Sequence, residues 1–158
     1  LYARNLLDSK YIVNDCMQAW GYMEFEFQDS LGYLINSLIY EGKIVYFINA
    51  MTPDVEEHHF MKYTKAQNDW CKASEKGMWK YLIENKLLFN TDYKNIVRFT
   101  QDGPFTAAFS QDSPGRAGSW IGYQIVKSYM NNNEDVTLQE LMFDNDYQKI
   151  LNFSKYNP

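Results

Sequence analysis

Ser113-Pro-Gly-Arg-Ala-Gly-Ser-Trp-Ile-Gly-Tyr-Gln-Ile-Val-Lys-Ser-Tyr-Met130 carries the helical pattern on which the architecture of this chain turns. Ser113-Pro114 reads as a helix start, with proline at the first helical position, where its fixed φ is already suitable. The apolar residues that follow keep helical spacing to Met130, and Asn131-Asn132-Asn133 then breaks the pattern. Gly115, Gly118 and Gly122 each weaken a helix by about 1 kcal/mol relative to alanine. Gly118 and Gly122 lie four residues apart, on one face, and leave a smooth groove for a crossing helix. On another flank, Arg116, Trp120 and Tyr123 are candidates to line a pocket. Close helix packing alone is the plainer explanation of the glycines.

Outward from this segment the chain reads as helices throughout. An amphipathic stretch runs from about Ser9 to Phe25, with Ile12, Val13, Cys16, Met17 and Trp20 at helical spacing as its expected buried stripe. Asp29 or Ser30 is the expected cap of a long helix reaching Met51, where Thr52-Pro53-Asp54 stops it. Its stripe is Leu31, Leu34, Ile35, Leu38, Val45 and Ile48. Thr64 with Gln67, and Thr137 with Glu140, are capping-box pairs. Asn90 or Thr91 is expected to open a shorter helix ending at Phe99, and Asp144 to Phe153 reads as the last. No strand with period-2 alternation stands out. The fold class expected is therefore all-α, as one domain over residues 1–158.

Composition narrows the functions. Hydrophobic residues make up 46% and aromatics 17%, enough for a packed core rather than a disordered chain. The net charge is −5 and no run of Lys or Arg exceeds two, so a basic footprint for nucleic acid is missing. No apolar run is long enough to span a bilayer. Cys16 and Cys71 both fall in helical patterns and read as small buried thiols. His58 and His59 are adjacent, so their side chains diverge and suit one metal poorly; Glu56-Glu57-His58-His59 reads as a solvated loop.

Glu41 is the most informative single residue. It lies three positions after Leu38 and four before Val45, so it projects from the apolar stripe of its own helix. A carboxylate there costs several kcal/mol unless it is paired, protonated or metal-bound. A core glutamate satisfied by Arg, Tyr or a backbone amide is the plainer reading; a site carboxylate is the functional one. Ser113 and Ser119 have no histidine near in sequence, and no phosphate loop, dinucleotide fingerprint or CxxC motif occurs.

In order along the chain, Tyr40-Glu-Gly-Lys-Ile-Val-Tyr46, Ala50-Met-Thr-Pro-Asp54, Asn68-Asp-Trp-Cys71, Leu87-Leu-Phe-Asn-Thr-Asp-Tyr93, Ser113–Met130 and Thr137-Leu-Gln-Glu-Leu141 resemble the GldB family. This resemblance implies a lipoprotein of gliding bacteria and their non-gliding relatives, held at the cell envelope by a lipid anchor upstream of Leu1. It also implies that the chain is a piece of a longer precursor, without an N-terminal part of the fold that could contain strands. GldB proteins are distantly similar to zincin-type proteases, in which an HExxH helix and a glutamate on a following helix hold zinc. Placed on that pattern, Asn14 stands for the first histidine, Asp15 for the glutamate and Gln18 for the second histidine, with Glu41 as third ligand. Amide oxygens are poor zinc ligands beside imidazole, so the resemblance implies a zincin-like helical scaffold that has lost its metal.

The expected function is thus a non-catalytic envelope module of gliding or a linked secretion system, without cofactor or metal. Its expected partners are other envelope or motility proteins and the membrane. Two alternatives stay open: a hydrolase using Glu41 and Asp15 as a carboxylate pair, and an aromatic-lined peptide or glycan module. Asn14, Asp15 and Glu41 also offer oxygen ligands of the kind that Ca²⁺ or Mg²⁺ takes.

Overall fold

The computed structural model describes residues 7–158. Among them a 3-10 turn at Ser9–Tyr11 leads into eight α-helices: α1 Ile12–Glu24, α2 Leu34–Met51, α3 Glu57–Phe60, α4 Lys65–Glu84, α5 Tyr93–Thr100, α6 Ala117–Asn132, α7 Leu138–Phe143 and α8 Tyr147–Ser154. No strand occurs among the described residues, so the all-α expectation holds.

Helix α2 is the centre. It is buried nearly all round, from Leu34 to Ile48, as expected of a helix without a polar face. α6 packs against it along its length, α8 lies on both, α1 covers another side of α2, and α4 rests on α6. The glycines set the α2–α6 distance. A Cβ on Gly42 would collide with the Gly122 backbone, and one on Gly122 with the Leu38 carbonyl. Only two facing glycines allow the helices to approach so closely. Gly118 does the same toward α5, where an added Cβ would sit 2.6 Å from the Phe99 carbonyl oxygen.

Both capping boxes form as read, at Thr64–Gln67 and Thr137–Glu140. Other helix starts differ, because their caps come from distant segments. α2 begins at Leu34 with no side-chain cap: the Leu34 and Ile35 amides donate to the Asn90 and Leu88 carbonyls, both at 2.9 Å. Asp29 instead accepts from the Leu31 amide and the Asn36 side chain. α6 begins at Ala117 rather than Ser113. The buried Thr106 hydroxyl accepts from the Ala117 amide at 3.0 Å and donates to the Pro114 carbonyl. The Ser113 hydroxyl oxygen accepts from the Thr106 amide at 2.9 Å, and its proton is shared between the Thr106 and Ser110 carbonyls, so it serves this loop rather than a helix cap. α5 is capped by Asp92, not Asn90 or Thr91.

The largest departure is α1. Four of the five residues of its expected stripe face solvent: Ile12 is 59% exposed, Val13 58% and Trp20 48%, with Cys16 exposed among them, whereas Met17 packs on the core; Met23, outside the expected stripe, is 87% exposed. The side packed on the protein carries Asn14, Met17, Gln18, Gly21 and Phe25. Gly21 explains the choice, since it lets the helix lie down on Ile44 and Phe47 of α2. Asn14 fixes the other end by donating to the His59 and Phe60 carbonyls at 3.1 and 2.9 Å. The thiol expectation therefore holds for Cys71, which is buried, and fails for Cys16.

Lys43 is buried in α2, a feature the sequence reading missed. Its ammonium donates to the Asp144 carbonyl at 2.7 Å and lies 5.5 Å from the Tyr147 ring. Burial pushes its pKa down to about 8, against a smaller opposing pull from Asp144. Below that value Lys43 is charged in both the folded and unfolded states, and the cost of burying the charge is fully present. Between about 8 and the ordinary 10.5 the unfolded chain binds more protons, so stability rises with pH. Urea titrations at pH 7.5 and 9.5 should show a gain of up to about 2 kcal/mol, absent in Lys43→Met.

Candidate functional site

Two clefts share one wall. The first, about 490 Å³, is lined by Asp15, Gln18, Ala19 and Tyr22 of α1, Glu41 of α2, and Thr100, Gln101, Asp102 and Arg116. The second, about 370 Å³, lies on the other side of Arg116 and Asp102 and includes Lys10, His58, His59, Lys62 and Tyr63.

Glu41 is partly buried in the first cleft. Tyr22 donates its hydroxyl to Glu41 Oε2 at 2.7 Å, and Gln18 Nε2 donates to the Tyr22 oxygen at 3.3 Å. This realises the plainer reading, a glutamate satisfied by tyrosine, while keeping the carboxylate at an open cleft. Burial raises the Glu41 pKa; the Tyr22 hydrogen bond and the Arg116 charge pull against it. Burial and the neighbouring carboxylate also hold the Tyr22 phenol well above its ordinary range.

Arg116 is buried and sits at the junction. Its Nη2 donates to the Met61 carbonyl at 2.9 Å and its Nε lies 3.0 Å from Asp102 Oδ1. Its backbone is left-handed, with φ 46°, at the residue before α6. The Tyr63 hydroxyl donates to the Gly115 carbonyl at 2.9 Å just ahead of that turn. Asp15, across the cleft, is ion-paired with Lys62.

Four of the residues singled out in the sequence thus meet at one cleft: Asp15, Gln18, Glu41 and Arg116. The proposed register does not hold for Asn14. Asn14 and Gln18 do not turn together toward Glu41, because Asn14 is committed to the α3 carbonyls; the pair on the Glu41 side is Gln18 and Tyr22. Trp120 and Tyr123 are not pocket residues either. They are 1% and 2% exposed, because they lie on the packed faces of α6, whose open flank carries Gln124, Lys127 and Asn131 instead. The segment expected as a solvated loop forms α3, and His58 and His59 are half-buried along the second cleft. His58 Nδ1 lies 3.1 Å from Glu56 Oε2, and His59 Nε2 lies 3.1 Å from the Lys10 carbonyl oxygen.

Chemically, the first cleft offers three carboxylates (Asp15, Glu41 and Asp102), a phenol and a guanidinium. Among the described residues no group of three His, Cys, Asp or Glu side chains is arranged to hold a metal ion. Trp79 and Trp120 are packed in the core, and neither cleft has a tryptophan wall. No described helix is long and apolar enough to cross a membrane.

These features define an all-helical protein with a polar double cleft and an apolar helix face turned outward. The chain belongs to the family described as "Gliding motility protein GldB", whose sequence model matches residues 1–158. The family's name links it to gliding motility, and its label marks it as a lipoprotein family. No curated protein matches the chain, and no solved structure does.

Proposed function

We propose that this protein is a non-catalytic module of the gliding-motility or an associated secretion machinery, lipid-anchored at the cell envelope and acting through protein contacts. The observation that carries this reading is the outward face of α1. Ile12, Val13, Cys16, Trp20 and Met23 form a helix-spaced apolar stripe in solvent, and contiguous patches of this kind mark interaction surfaces. Trp20 keeps a fixed orientation by packing edge-on against Phe47 at 5.6 Å, which lowers the entropy lost on docking. The non-catalytic reading is supported by the pairing of Asp15 with Lys62, which takes one member of the Asp15–Glu41 carboxylate pair out of play. Neither cleft supplies a nucleophile with a histidine base beside it.

The lone thiol in the stripe offers a test. Cys16 is exposed, whereas Cys71 is buried and its pKa is pushed up to about 12, so a maleimide photo-crosslinker should attach at Cys16. In envelope preparations the label should join the protein to a component of the motility or secretion machinery. Efficient flotation of the soluble domain with anionic vesicles, lost on Trp20→Glu, would assign the stripe to lipid and overturn the protein-contact reading.

A further inference from the structure

Charges in the first cleft are matched with one exception. Asp15 of α1 is paired with Lys62, and Asp102 with Arg116. Glu41 forms no ion pair among the described residues; its Oε2 accepts from Tyr22, and its Oε1 has no protein donor. Among the described residues the groups around it are Asp15 and Tyr22 of α1, Asp102 and Arg116 from the loops, and Tyr40 on its own helix, and none of these supplies a cation not already paired. Its backbone is fixed, because Gly42 is locked against Gly122. An unmatched carboxylate on a rigid helix, open to a cleft of about 490 Å³, is an acceptor lacking its donor.

We propose that this cleft binds a single cationic hydrogen-bond donor, the ammonium or guanidinium head of a flexible stem, with Glu41 as its counter-ion. A head group of that size fits the cleft, and its stem would run out over Ala19 and Thr100. An anionic ligand is disfavoured: the Arg116 guanidinium is already shared between Asp102 and Met61. The same chemistry is carried by the Lys or Arg side chain of a polypeptide and by a free small amine. This inference does not depend on the α1 stripe.

The test is an NMR titration of the protein with Nα-acetyl-lysine methylamide, its arginine counterpart and the neutral norleucine analogue. The cationic probes should bind in about the millimolar range, with shifts at Gln18, Tyr22 and Glu41, and norleucine should not. Glu41→Gln keeps the Tyr22 hydrogen bond, so it should stay folded and weaken binding about tenfold or more, while the remote Glu84→Gln changes nothing. A lysine-containing tripeptide binding well above the capped amino acid assigns the site to a polypeptide; n-butylamine binding as well as the tripeptide assigns it to a small amine. Equal binding of norleucine, unchanged binding in Glu41→Gln, or shifts mapping away from the cleft would overturn the proposal.

Discussion

Gly122→Ala should lower the unfolding free energy by about 3 kcal/mol or more, beyond the usual cost of overpacking, because the new methyl meets backbone rather than a side chain that can turn aside. The Leu38 carbonyl belongs to an intact helix, and the only relief is to part α2 from α6. That separation would loosen contacts among Leu38, Ile121 and Ile125, all at zero exposure. Against a total stability of about 5–15 kcal/mol, the loss should appear as a melting temperature lower by roughly 10 °C. Gly77→Ala is the matched control. An added Cβ there meets nothing within 4 Å in an α4 that is otherwise regular, so it should stabilise by about 0.5–1 kcal/mol.

Trp120→Ala should cost about 3–5 kcal/mol, the range for truncating a large buried aromatic. Trp120 is 1% exposed, and its indole nitrogen has no partner in the structure, so the whole loss is packing. A tryptophan lining a pocket would behave differently: its removal would leave stability near that of the parent and change only ligand binding. Chemical denaturation of the two proteins distinguishes the cases.

Trp120 also shows where sequence reading reached its limit. The glycines at 118 and 122 were legible as a groove because their spacing alone puts them on one face. Which of the remaining flanks of α6 faces solvent depends on how many helices surround it, and that is a tertiary fact. Capping boxes at Thr64 and Thr137 were legible because both partners lie within four residues. The starts of α2 and α6 were not, because their amides are satisfied by the Leu88–Asn90 strip and by Thr106.

The same division holds at the cleft. Glu41 was visible as a carboxylate in an apolar stripe, and Asp15 and Gln18 by their place on the preceding helix. Tyr22, Asp102 and Lys62 join only through folding, and Asn14 was misassigned because spacing gives a face but not its direction. α1 is the strongest instance. Its apolar residues mark one face correctly, yet Gly21 and Asn14 turn the opposite face inward. That inversion is what motivates the functional proposal.

The most direct measurement is therefore made on that face. The full-length protein carrying Trp20→Glu and Met23→Glu is compared with the parent by native electrophoresis of detergent-solubilised envelopes. Met23 is 87% exposed, and Trp20 is 48% exposed with one edge against Phe47, so thermal unfolding of the variant is measured alongside to establish that it folds. The parent is expected to migrate in a larger assembly, and the variant to run free of it. Co-migration of the variant with an unchanged assembly would contradict the claim that the outward face of α1 is the contact surface.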